Sequence, residues 1–181
     1  PYDRVMVAAL PRNGDLADLL DQLADLSEIL GEQSFRVGAY RRAAARIRDT
    51  ASSVAELALE GKAKELPDIG KTIEAKIVEV SETGDMEALA KRRAQVPGEV
   101  SAFLRLPGLG PKTAARIWRE LGVTTLAELK EAAEGQRLRT LSGMGAATEA
   151  KILKALADGQ GAEEPRRGLL GKGLPVVREA V

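Results

Sequence analysis

With 181 residues, 44% hydrophobic side chains and 27 basic against 27 acidic residues, the chain can form one ordinary domain or two small ones, and it carries no global positive field. It has no cysteine and no histidine, which excludes disulfides, thiolate chemistry, imidazole bases and the usual zinc sites. A metal ion would have to be held by carboxylate or backbone oxygens. The opening "PYDRVMVAALPRNGDL" lacks the long apolar core of a secretory signal, and no stretch reaches the length of a membrane helix, so a cytoplasmic location with no membrane partner is expected.

Leucines and isoleucine at 16, 19, 20, 23, 26, 29 and 30 recur at helical spacing and predict an amphipathic helix ended by Gly31. A second helix is predicted over Phe35 to Arg48, with Phe35, Tyr40, Ala43, Ala44 and Ile47 as its apolar side and five arginines as its charged one. "SVAELAL" reads as a short helix after Ser52 or Ser53 as N-cap, released at Gly61. The next helix begins near Gly70, runs to about Glu82 and turns Ile73, Ile77 and Val80 inward; "MEALAKRRAQV" makes another. Pro97 and Gly98 break the pattern. Beyond them follow "GEVSAFLRL", a helix around "TAARIWREL" and a short helix in "TLAELKEAA" with Thr125 as N-cap. From Asp158 the chain is rich in glycine and charge. The expected organisation is therefore a helical domain over 1–96, a second helical subdomain over 97–157, and a linker over 158–181. The expected fold class is all-α. The basic excess is confined to residues 97–157, nine basic against six acidic.

One layout occurs three times: "LPDIGKTIEAKI" from Leu66, "LPGLGPKTAARI" from Leu106 and "LSGMGAATEAKI" from Leu141. Each runs leucine, turn residue, Gly or Asp, apolar anchor, Gly, helix. Gly70, Gly110 and Gly145 are expected to adopt conformations costly for residues with a Cβ, with Ile69, Leu109 and Met144 anchoring the turns. Successive amides opening into a helix N-terminus suit an anion such as a DNA phosphate. The layout is neither a dinucleotide fingerprint nor a P-loop: no preceding strand is visible, and the closing Gly-Lys-Ser/Thr is absent. Backbone contacts of this kind hold DNA without reading its bases and are strongly salt-dependent. Lys71 and Lys112, each just past a hairpin, are candidate phosphate contacts beside Gly70, Gly108, Gly110, Gly143 and Gly145. The "KRR" run at 91–93 reads as a solvated helix face.

"SFRVGAYRRAAARI", "ELPDIGKTIEAKI", "LRLPGLGPKTAARI" and "LRTLSGMGAATEAKIL" together, in this order, resemble the N-terminal part of family X DNA polymerases of the bacterial and archaeal type, over roughly Leu16 to Leu156. The resemblance implies a small domain like the N-terminal domain of DNA polymerase beta, followed by a DNA-gripping helix-hairpin-helix subdomain. It also implies gapped, nicked or abasic repair DNA as the partner. "RRGLLGKGLPVVREAV" looks like the start of the join to a polymerase palm. Magnesium belongs to that palm, so polymerisation is not expected of these residues alone.

Family lyase domains use a lysine Schiff base, and the matching position is Lys76, with Tyr40, Arg41 and Arg42 in the segment that orients the sugar and phosphate. Where the family places auxiliary lysines this sequence has Arg36, Thr72 and Ala88, and only the arginine retains the charge. A lyase acting through Lys76 and a helical protein-interaction module therefore stand beside DNA binding as alternatives. The resemblance further implies a sodium or potassium ion at the hairpins, held by the carbonyls of Lys64, Leu66 and Ile69 in the first and Leu104, Leu106 and Leu109 in the second.

Overall fold

The computed structural model describes residues 9–161. Every regular element among them is helical: α1 (Asn13–Ile29), α2 (Ser34–Asp49), α3 (Val54–Leu59), α4 (Lys71–Thr83), α5 (Glu87–Gln95), α6 (Pro111–Leu121), α7 (Leu126–Glu134) and α8 (Ala146–Ala157). Three 3₁₀ segments, Ala63–Glu65, Val100–Arg105 and Leu138–Thr140, each precede one of the repeated turns. The expected palm join beyond Arg166 lies outside the described residues, as does most of the glycine-rich linker.

The chain divides into two compact units. Among the described residues, the first comprises 9–24 together with Ser34–Ala90, and the second comprises Asp25–Gln33 together with 91–161, so Pro97 and Gly98 lie within the second. In the first unit, Leu16, Leu19, Leu20 and Leu23 of α1 are buried, as are Val37, Tyr40, Ala43, Ala44 and Ile47 of α2. Phe35, expected on the apolar side of α2, is 64% exposed. Val37 takes the inward position instead, because it lies three residues before Tyr40 and so shares its face. Arg48 hydrogen-bonds Asp21 and Asp18 of α1 at 2.8 and 2.7 Å, and these contacts raise its pKa against the opposing effect of burial.

In the second unit, Phe103, Ile117, Leu129 and Leu138 are fully buried, each contributing roughly 2 kcal/mol through lost apolar exposure. Gly98 has φ +52°, and a Cβ there would clash with the Thr124 carbonyl; the adjacent Glu99 amide donates to that carbonyl at 2.7 Å. Arg92 of the "KRR" run is half-buried in a two-bond contact with Glu32, both at 2.8 Å, so this member of the run is an internal tie rather than a solvated charge. Among the described residues, no helix is long and apolar enough to cross a membrane.

Candidate nucleic-acid interface

The three repeated turns share one geometry. The amides of Ile69, Leu109 and Met144 donate to the carbonyls of Leu66, Leu106 and Leu141 at 3.2, 3.3 and 3.0 Å, which closes a four-residue turn each time. The third residue of each turn has positive φ: Asp68 at 68°, Gly108 at 79° and Gly143 at 86°. Proline at the second position, Pro67 and Pro107, fixes a negative φ there, and together with the positive φ at the third residue this makes the first two copies type II turns. This corrects one expectation. Gly70, Gly110 and Gly145 have φ of −95°, −97° and −102° with extended ψ, a conformation open to any residue. The left-handed residue lies two places earlier, where the chain reverses. The apolar anchors Ile69, Leu109 and Met144 are buried as expected.

Since conformation does not demand glycine at 70, 110 and 145, space must be considered, and a Cβ at any of them would meet nothing within 4 Å. All three serve as N-caps of α4, α6 and α8 with no side-chain cap. The first N–H groups of these helices are consequently left to solvent or a ligand. The first backbone bonds in each helix come only from Glu74, Ala114 and Glu149, which donate to the three glycine carbonyls at 2.9, 2.9 and 3.1 Å. In α6, Pro111 occupies the first position and has no N–H to satisfy.

The open helix starts are braced from behind. Glu74, the fourth residue of α4, is buried and accepts the Lys64 amide at 2.9 Å, with the Lys64 ammonium 3.7 Å from its other oxygen. Glu149 holds the same place in the third copy. Only 1% exposed, it accepts the Leu138 and Arg139 amides at 3.1 and 3.3 Å and the Arg139 guanidinium at 2.7 Å. Each carboxylate ties the preceding 3₁₀ segment to the hairpin helix. The second copy has Leu104 and Ala114 at the matching positions, and there the 3₁₀ segment packs on α6 without charge.

Each expected side chain has a definite place. Lys71 and Lys112 are exposed at the starts of α4 and α6. On α2, Arg36 is exposed, Arg41 half-buried and Tyr40 buried at 6%. Arg42 and Arg46 face the first turn, 3.9 and 3.4 Å from the Asp68 carboxylate. Lys76 is half-buried on α4, next to the buried Ile77. Lys64 and Leu104 belong to 3₁₀ segments, while the Leu66 and Leu106 carbonyls accept the turn amides and keep a second lone pair. The sequence reading missed Asn13, whose side chain donates to the Thr50 and Ser52 carbonyls and accepts the Val54 amide at 2.9 Å. It also missed Glu74, Glu149 and Arg46. In unit two, Arg116 of α6 donates to the Ser142 carbonyl of the third turn at 2.7 Å, and the space beside Gly108 is closed by Thr148 of α8 at 3.2 Å.

Residues 11–86 match the family of helix-hairpin-helix domains, and residues 100–158 match that of SAM-like helix-hairpin-helix tandems. The chain carries helix-hairpin-helix domains in tandem. It is 36% identical over 165 residues, 91% of its length, to the DNA polymerase/3'-5' exonuclease PolX of Bacillus subtilis (strain 168), and it spans 28% of that relative. These matches cover both compact units, and the tandem resembles the N-terminal region of a family X DNA polymerase.

Proposed function

We propose that this tandem binds gapped or nicked repair DNA without sequence preference, as the N-terminal part of a family X DNA polymerase. The observation that carries the reading is the set of helix starts at Gly70, Gly110 and Gly145: no side chain caps them, nothing crowds their Cβ positions, and none needs glycine for its φ. Glycine there leaves the amides of the first helical turn accessible to a phosphate oxygen, with the helix dipole adding attraction. Lys71 and Lys112 would supply charge at the rim of the first two hairpins, and Arg36, Arg41 and Arg42 on α2 would follow the backbone of the first. Gly108 and Gly143 would shape the turns that present these amides.

A sodium or potassium ion fits the donor set at the first two hairpins: the Leu66 and Leu106 carbonyls each keep a lone pair beyond their turn bond, and carbonyl oxygen suits a hard cation. Lys64 and Ile69, and Leu104 and Leu109, would complete the two sets, and a bound ion would add positive charge where DNA passes.

Titration of labelled gapped, nicked and intact duplexes at several salt concentrations tests the reading. Affinity for the interrupted duplexes should fall steeply as salt rises. Absence of salt-sensitive binding to all three would reject it and leave a protein-interaction module. A 5'-deoxyribose-phosphate lyase is supported as a second reading by the half-buried place of Lys76 beside Ile77, reachable yet partly shielded. Borohydride trapping on an incised abasic substrate, with Lys76→Ala as control, should give a lysine-dependent adduct; DNA binding without an adduct would exclude it.

A further inference from the structure

The first turn differs from its two copies at one position. Where Gly108 and Gly143 take positive φ at no steric cost, the first copy has Asp68 at φ 68°, a conformation disfavoured for a residue with a Cβ. The Asp68 carboxylate is engaged: Oδ2 lies 3.4 Å from Arg46 Nη2, and Oδ1 lies 3.9 Å from Arg42 Nε. Arg46 is only partly committed to this contact, for its Nε is buried without a hydrogen-bond partner. Arg42 in turn bends back along α2, its Nη1 filling the space over Gly38 at 3.1 Å from a Cβ position. Two arginines one helical turn apart thus flank a single carboxylate, one near each oxygen at 3.4 and 3.9 Å, and each guanidinium has donors left to offer a phosphate.

We propose that Arg42 and Arg46 form an anion seat for a DNA backbone phosphate and that Asp68 is its internal occupant, holding the seat closed and weakening the first hairpin relative to the second. The proposal rests on the DNA-binding reading above. It assigns Arg46 a role in binding and makes Asp68 an internal competitor rather than a brace. An exposed ion pair of this kind adds little to stability, which leaves the seat open to exchange with a stronger anion.

A double-mutant cycle separates this from simple charge repulsion. The probe is a gapped duplex with 5'-hydroxyl ends, so that every phosphate present is a backbone diester, and wild type must first bind it in a salt-sensitive way. If wild type fails, the DNA-binding reading falls by itself. Asp68→Asn, which keeps a residue tolerant of positive φ, should bind several-fold more tightly at low salt. Its log–log salt dependence should steepen by about 1, since the one additional phosphate neutralised contributes roughly 0.9. Arg46→Met keeps the buried stem and should remove most of that gain when combined with Asp68→Asn. Asp68→Gly, which restores the residue of the other two turns, should behave as Asp68→Asn does and guards against a folding defect. No gain in either Asp68 variant, or the same gain with Arg46→Met present, would overturn the proposal while leaving wild-type DNA binding intact.

Discussion

Two kinds of helix start coexist in this chain. At α3, Ser53 accepts the Glu56 amide at 3.2 Å, and Asn13, distant in sequence, accepts that of Val54. At α7, Thr125 accepts the Glu128 amide, Glu99 that of Leu126 at 2.6 Å, and Glu128 reaches back to Thr124 at 2.9 Å. The starts of α4, α6 and α8 receive no such capping, and α4 and α8 are instead held from within by a buried glutamate on the fourth helical residue. Helix starts that only need to be stable are closed by side chains. Those at the repeated turns forgo that small stabilisation, as the proposed function requires of starts that receive a phosphate.

Removing a brace tests this contrast most severely. Glu149→Ala leaves the Leu138 and Arg139 amides and the Arg139 guanidinium without their acceptor, and should cost about 3 kcal/mol of unfolding free energy. Denaturant unfolding measures it, and a loss below about 1 kcal/mol would show that the carboxylate does not hold the hairpin. Closing an open start should separate stability from binding. Gly110→Asp has an allowed backbone and free space, so the fold should gain a few tenths of a kcal/mol, about what an aspartate N-cap gives over glycine. Affinity for gapped DNA should nevertheless fall about tenfold or more, as a carboxylate would stand where the phosphate is received. Unchanged affinity with the cap formed would remove α6 from the interface. The converse change, Thr125→Ala at a closed start, should cost about 1 kcal/mol and leave DNA affinity unaltered.

Much of the fold was legible because helical periodicity and repetition are local signals. Six of the seven leucine and isoleucine positions, all but Leu30 just past α1, and the anchors Ile69, Leu109 and Met144 marked the buried faces, and Thr125 marked a cap. The conformational role of the glycines was misplaced because aligning the copies on their last glycine hides the turn type. Pro67 and Pro107 carry the missing signal, since the residue after proline in a type II turn takes positive φ. Glu74 and Glu149 carry no local sign of burial, since a helix carboxylate is ordinarily solvated, yet the copies vary together at the two positions: Lys64 with Glu74, Arg139 with Glu149, Leu104 with Ala114. Asn13 left no local trace, because its partners lie about forty residues away and meet it only once α1 and α3 pack.

The smallest effect distinguishes the two kinds of start by pH. Glu128 accepts the Thr124 amide, and this contact, opposed by desolvation and helped by the Thr124 hydroxyl and the Thr125 backbone, lowers its pKa below the ordinary carboxylate value. A carboxyl group whose folded pKa is depressed stabilises the fold above its unfolded pKa, and that contribution is lost as pH falls through the folded value. Thermal unfolding followed from about pH 6 to about pH 3 should therefore show a component in wild type that Glu128→Gln lacks, with the two converging at the acidic end. The side chain is exposed, so the difference should be slight. If the two proteins instead keep a constant separation over the whole range, the closure of α7 owes nothing to the charge of Glu128 and rests on Thr125 and Glu99.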